Sequence, residues 1–368
     1  MVNNNKSLDS NNRIQWIELG RCIAILAVIL CHIAEITYST NLSNTHYLNT
    51  DFMSTQNIYS KIFVLFAFTV GRLGVPIFLM ITGYLLFDRK YDKSGCKKFY
   101  KKNFSRLLAC TEIWIIIYNI FIIIFRNTKF EPIKLIKQML FIEWVEFDHW
   151  WFMFMIIIAY LMLPLVANLI QHGPNRLLKT FFIIYIVYTS FYKIIDDVLV
   201  AMGHKKLPVC LSLGHTYGVF AIYMIIGYLI KKNFFKKINT CLLSFISFFA
   251  FIIVLVFQII AYTLGAGFNI WYDCPFMLIS TVAIFELLSR IKNIKFYNIV
   301  KNISYYSFGI YLIHIIIREV MFVIIPKSTT FLPLIVIIAT LINFIITYVC
   351  VLAISKIPKI GKFLLYLR

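Results

Sequence analysis

The chain has 368 residues, 61% of them hydrophobic and 14% charged, with a mean hydropathy of +0.82, which excludes an ordinary water-soluble globule. A formal charge of +20 would suit a nucleic-acid partner, but the Lys and Arg lie in short stretches between apolar runs, so a multi-pass membrane protein in a lipid bilayer is expected and nucleic acid is not. The eight Cys are scattered, with no C-x-x-C and no His/Cys spacing suited to zinc, so neither a metal site nor a disulfide framework follows.

Residues 1–13 read as a polar cytoplasmic tail without a separate signal peptide, 14–355 as one transmembrane domain and 356–368 as a second cytoplasmic tail. Ten apolar segments are long enough to span: 14–38, 62–87, 104–125, 150–170, 177–195, 212–230, 240–264, 270–290, 303–325 and 331–355. The expected fold class is therefore all-α, a helical bundle of about ten transmembrane helices with no soluble domain. The fifth segment is interrupted by Lys193 and the pair Asp196 and Asp197. With the N-terminus inside, 24 of the 36 Lys and Arg fall in cytoplasmic segments and 9 in outer ones, which places both termini in the cytoplasm. The remaining three, Arg21, Arg72 and Arg318, lie within spans, where a charge is costly and calls for a function.

The first span carries Glu18, Arg21, His32 and Glu35. Arg21 and His32 are eleven residues apart, about 20° beyond three helical turns, so they share a face; Glu18 and Glu35 fall within an arc of about 100° with them. Either carboxylate is placed to fix the tautomer of His32. In the second span, Gly71, Gly74 and Gly83 allow close backbone approach, and Pro76 predicts a kink or break near Arg72. The loop from Arg89 to Arg106 holds eight cations against Asp88 and Asp92, a topology signal that also suits phosphate docking. His149 opens the fourth span with Trp150 and Trp151; Trp150 is expected in the interfacial aromatic belt, and the neighbouring rings suit stacking on a sugar. Near the end, Tyr311, His314 and Arg318 share a face at i, i+3 and i+7.

These segments resemble, in order, the signatures of the acyltransferase-3 family of bacterial integral membrane proteins. Arg21, ten intervening residues and His32, with Glu18 where the family usually has Asp, match its first-helix signature. The stretch from Gly71 to Phe87 is similar to its Gly-Val-x-x-Phe-Phe…Ser-Gly-Phe/Tyr run, with Thr82 in place of Ser. His149, Trp151 and Phe152 resemble its His-x-Trp-Phe segment, and Ser307, Gly309, Tyr311, Leu312 and His314 its closing Ser-x-Gly-x-Tyr-Leu-x-His. The resemblance implies a membrane O-acyltransferase that takes an acyl group, acetyl above all, from cytosolic acetyl-CoA or another acyl-CoA and delivers it to a hydroxyl of a glycan or lipid-linked sugar. It needs no bound cofactor. His32 and Glu35 are then the expected catalytic residues, and Glu18, Arg21, Arg72, His149, Trp151, Tyr311, His314 and Arg318 the expected substrate-binding ones. A transporter or flippase for a polysaccharide precursor is the alternative, because a broken second helix and charged span faces suit alternating access.

Overall fold

The computed structural model describes residues 5–37, 53, 56–147, 149–205, 215–264, 270–324, 332–358 and 360–367. Asp148, Cys210 and the side chain of Asp197 lie outside the described residues. The helices are α1 (Asn5–Thr37), α2 (Ile58–Arg72), α3 (Gly74–Leu86), α4 (Lys93–Phe99), α5 (Ser105–Arg126), α6 (Pro132–Met139) and α7 (Trp150–His172). They continue with α8 (Asn175–Ala201), α9 (His215–Lys231), α10 (Thr240–Thr263), α11 (Pro275–Ser289), α12 (Tyr297–Ile324), α13 (Leu332–Ser355) and α14 (Ile360–Leu364). Each of the ten expected spans falls on a helix. Among the described residues seven stretches are long and apolar enough to cross a membrane, and α9 and α11 are shorter apolar helices. The 27-residue α8 carries Lys193 and Asp196 and is not among the seven. The fold is thus an all-α membrane bundle. One difference lies at the start, where α1 begins at Asn5, upstream of the apolar span Gln15–Ile36.

The chain divides into two compact units. The first comprises residues 1–88, 172–304 and 327–342. In it α1 packs on α2, α3 and α11, α3 packs on α9, and α10 packs on α11. Backbone contact between α3 and α9 is reciprocal. A Cβ on Gly83 would run into the carbonyl of Met224, and one on Gly227 into the carbonyl of Met80, so only glycine permits this approach. Trp16 fills the space beside them, with Tyr84 at 5.1 Å and Phe285 at 5.2 Å between ring centroids, both edge-on.

The second unit comprises residues 89–171, 305–326 and 343–368. Its α4 and α5 form one continuous rod through a π-helical turn at Tyr100–Phe104. Arg106, Cys110 and Trp114, spaced i, i+4 and i+8 on α5, donate to main-chain carbonyls of the segment 362–367. Trp114 Nε1 reaches Leu364 O at 2.7 Å and Arg106 reaches Lys362 O at 3.0 Å. The Tyr366 hydroxyl donates to Asn103 O at 3.0 Å, a carbonyl inside the wider π turn. Helix α6 is tied down by Gln138, which accepts from Asn119 of α5 at 2.7 Å and donates to Trp144 O at 3.1 Å.

Candidate functional site

The helix broken at Leu73 sets the geometry in the first unit. Pro76 has no N–H for the carbonyl of Arg72, and Leu73 N–H bonds instead to Val70 O at 3.1 Å, which separates α2 from α3 at one residue. This is the interruption that the sequence leads one to expect. Gly71 lies directly on α1, where an added Cβ would stand 2.5 Å from the Cβ of Cys31. The next side chain, Arg72, therefore reaches the end of α1. Its Nη2 donates to Glu35 Oε1 at 3.0 Å, and the other carboxylate oxygen, Oε2, lies 2.8 Å from His32 Nδ1. Glu35 and Arg72 are 2% and 3% exposed, whereas His32 is half-buried.

Direction follows from the donor inventory. An ionised carboxylate only accepts, so His32 donates through Nδ1–H and presents the lone pair of Nε2. Further contacts hold Arg72. Its Nη1 donates to the Tyr272 hydroxyl at 3.3 Å, and its guanidinium carbon lies 4.6 Å from the Phe68 ring centroid, 4.7 Å from Trp271 and 5.4 Å from Tyr272. The Cys31 thiol approaches Glu35 Oε1 at 3.7 Å. The first unit thus assembles an arginine, a carboxylate and a histidine in line. Such an arrangement can take a proton at Nε2 and stabilise the cation that results.

Glu18 and Arg21 are placed elsewhere on α1. They pair with each other at 3.8 Å, and the Arg21 side chain is 31% exposed, the most open of the three span arginines. Of the two carboxylates able to orient His32, Glu35 makes the contact.

The second unit collects the other expected residues. The Tyr311 hydroxyl donates to His149 O at 2.7 Å, and His314 Nδ1–H donates to Tyr311 O at 2.6 Å, one turn back on α12. The His149 and His314 rings stand 5.8 Å apart, and both lie within 6 Å of the Tyr311 ring. Asn343 of α13 donates to His314 O at 3.0 Å. Trp150 departs from expectation: it is 1% exposed, edge-on to Tyr118 at 5.2 Å, so it is a core residue of this unit and not part of an outer belt. Its indole Nε1 is buried without a hydrogen-bond partner among the described residues. Trp144, 58% exposed, has the exposure expected of a belt residue. Trp151 packs edge-on against Phe152 at 6.0 Å. Arg318 is held by its neighbour Glu319, with Nη2 at 2.5 Å from Oε1. Glu319 also receives Arg126 at 3.9 Å, and Arg126 pairs with Glu146.

The acids of the basic loop are already engaged. Asp92 caps α4, accepting from Gly95 N–H at 2.7 Å and from the Ser94 hydroxyl at 2.9 Å, and these bonds hold its carboxyl below the usual range. Asp88, in the first unit, is tied to Lys231 and Lys232. Burial pushes its carboxyl up, but the bonds from Lys232 and Lys231 outweigh that and bring it below the usual range. Lys97, Lys98, Lys101 and Lys102 remain exposed, and among the described residues none of them has an ion pair.

Sequence reasoning missed Phe68, Trp271, Tyr272, Tyr118, Asn343 and Glu319. Glu319 was discoverable, because sorting the intramembrane carboxylates as well as the cations finds it beside Arg318. Tyr272 lies 200 positions from Arg72 and carries no local signal.

A family profile described as an acyltransferase domain, that of the acyltransferase-3 family, matches residues 14–352. No curated protein and no solved structure matches the chain. With a profile that covers nearly its whole length, on an all-helical membrane fold, the chain belongs to the acyltransferase-3 family of membrane acyltransferases.

Proposed function

We propose that the protein transfers an acyl group, acetyl in this reading, from cytosolic acyl-CoA to a hydroxyl of a glycan or lipid-linked sugar of the cell envelope. His32 takes the hydroxyl proton at Nε2, Glu35 holds Nδ1–H, and Arg72 holds Glu35. The acceptor oxygen bonds to the thioester carbonyl carbon, the C–S bond breaks, and His32 passes its proton to the departing CoA thiolate. The observation that carries this reading is the Arg72–Glu35–His32 line, at 3.0 and 2.8 Å, buried at the end of α1.

Arg72 is spent on Glu35 and its aromatic surround, so the more open Arg21 is the better candidate to meet donor phosphates or the developing oxyanion. Lys97, Lys98, Lys101 and Lys102 supply a docking surface for the nucleotide end of the donor. The acceptor sugar is assigned to the second unit's His149, Trp151, Tyr311 and His314, with Arg318, paired with Glu319, as a further polar contact. The protein sits in the cell membrane with both termini cytoplasmic, as the distribution of Lys and Arg supports.

His32→Gln tests the assignment. Gln keeps polarity and approximate size but takes no proton at neutral pH. Insertion and expression should be normal, and transfer of labelled acetyl from acetyl-CoA should fall at least about a hundredfold, the lower end of what a general base supplies. Label trapped on the wild type without acceptor, and lost in His32→Gln, would mark an acyl-histidine intermediate; none on either protein marks direct transfer. Near wild-type turnover in His32→Gln overturns both.

A further inference from the structure

Two of the charges that interrupt the fifth expected span, Lys193 and Asp196, have a place in the first unit. Lys193 of α8 lies 3.9 Å from Asp273 and 3.9 Å from Asp196, all three largely buried. Asp273 follows Trp271 and Tyr272, the two residues that enclose the Arg72 guanidinium. The turn that carries them is fastened at two further points. The buried Tyr223 hydroxyl of α9 donates to Tyr272 O at 2.9 Å, and Cys274 with Pro275 opens α11 immediately after. Ile270, Tyr272 and Cys274 alternate inward and are buried. A turn whose side chains enclose Arg72, and whose Asp273 meets the buried Lys193 of another helix, calls for a purpose beyond connection.

We propose that Trp271, Tyr272 and Asp273, anchored by Lys193, form a positioning arm that holds the Arg72 guanidinium in register with Glu35 and, through it, His32. The chain of contacts runs from Lys193, ion-paired with Asp273 at 3.9 Å, along the turn to Tyr272 and Trp271, to Arg72 at 3.3 Å, to Glu35 at 3.0 Å and to His32 at 2.8 Å. Arginine has a long, flexible stem, and a buried ion pair orients its partner only when the guanidinium itself cannot swing. The rings on its faces and the hydroxyl at Nη1 remove that freedom. Lys193 acts at the far end, so it is a positioning residue and touches no substrate. The kinetic consequence rests on the assignment of His32 as the base, but the coupling of Lys193 and Asp273 to Arg72 does not.

The test is a double-mutant cycle on the full-length protein in lipid nanodiscs. Asp273→Asn and Lys193→Met should each lower kcat about tenfold, with the apparent KM for acetyl-CoA within about twofold of wild type, since the change reaches the base and not the donor surface. Lys193→Arg should restore most of the loss. Combined with Arg72→Lys, Asp273→Asn should cost nothing further, because both act through the same guanidinium. Losses that multiply in the double variant overturn the proposal. So does a Lys193→Met protein whose yield falls while kcat per folded molecule stays unchanged, since that is a purely structural lysine. Should Asp273→Asn fail to fold, the Lys193→Met and Lys193→Arg pair, each crossed with Arg72→Lys, separates the same two outcomes. If His32→Gln keeps its turnover, the base assignment fails on its own, and the cycle is still read on that turnover.

Discussion

Glu35→Gln preserves the shape of a side chain that is 2% exposed but replaces two acceptor oxygens by one acceptor and one donor. The carboxylate now accepts from Arg72 on Oε1 and from His32 on Oε2. Glutamine can satisfy only one of them. With its oxygen toward Arg72, its amide nitrogen faces His32 Nδ1, which must then accept, and the ring carries its proton on Nε2, where the base lone pair is needed. With the amide reversed, its NH₂ opposes a guanidinium. Either arrangement also leaves the Arg72 charge, 3% exposed, without its carboxylate, and breaking a buried pair costs about 3–5 kcal/mol of stability. Loss of the correct tautomer costs about 10²- to 10⁴-fold in rate, roughly 3–5 kcal/mol on the barrier. The two effects separate experimentally. Detergent-purified protein is followed by thermal unfolding and gel filtration, and acetyl transfer is measured with labelled acetyl-CoA on the fraction that stays monodisperse. Glu35→Asp, which keeps the charge on a shorter stem, should recover most of the thermal stability and less of the rate. Wild-type stability together with wild-type turnover in Glu35→Gln would refute the account of the Arg72–Glu35–His32 line.

Replacing Lys97, Lys98, Lys101 and Lys102 together by Gln should raise the apparent KM for acetyl-CoA with little change in kcat, more at low salt than at high, because exposed charges are screened beyond about 8 Å at physiological ionic strength. An unchanged KM in correctly inserted protein would reduce these lysines to a topology signal. The Asp92 cap has a pH dependence of known sign. Its carboxyl is depressed in the folded chain, so its contribution to α4 is complete above the ordinary carboxylate pKa and is lost as pH falls through the lower folded value. Hydrogen exchange over residues 93–99 should therefore quicken on acidification relative to the chemical exchange rate. Asp92→Asn, still a capping acceptor, should abolish that dependence, and an identical acid response in the variant would place its origin elsewhere.

What could be read from the sequence divides along physical lines. Helix positions were legible because hydrocarbon imposes a length and a composition: each of the ten expected segments falls on helix, the second on two, and seven described stretches are long and apolar enough to span. The break at Leu73 was legible because Pro76 acts four residues back in the same helix. His32 and Glu35 meet across one turn of α1, so helical spacing put them on one face, although it left Glu18 and Glu35 equal as partners until Arg72 selected Glu35. The arm around Arg72 was not legible, since Phe68 is four residues away but Trp271 and Tyr272 are brought in by tertiary packing alone. Trp150 shows the opposite failure. Its position at the start of a span argued for an interface, and burial against Tyr118 put it in the core.

The span arginines differ in how far along the chain their carboxylates lie, and this bears on the order in which the protein can be built. Arg21 has Glu18 three residues before it, and Arg318 has Glu319 beside it, so each of those helices can enter the bilayer with its charge already matched. Arg72 has Glu35, 37 residues earlier on the preceding helix. Neither α1 nor α2 can complete that neutralisation alone, and an unmatched arginine at mid-helix costs about 2.5–3.5 kcal/mol on insertion. The first two helices are therefore best released into lipid as a closed hairpin, with Gly71 against Cys31 as its seam. A ribosome-bound chain stopped after Thr37 should hold α1 less firmly in the membrane than one stopped after Leu86.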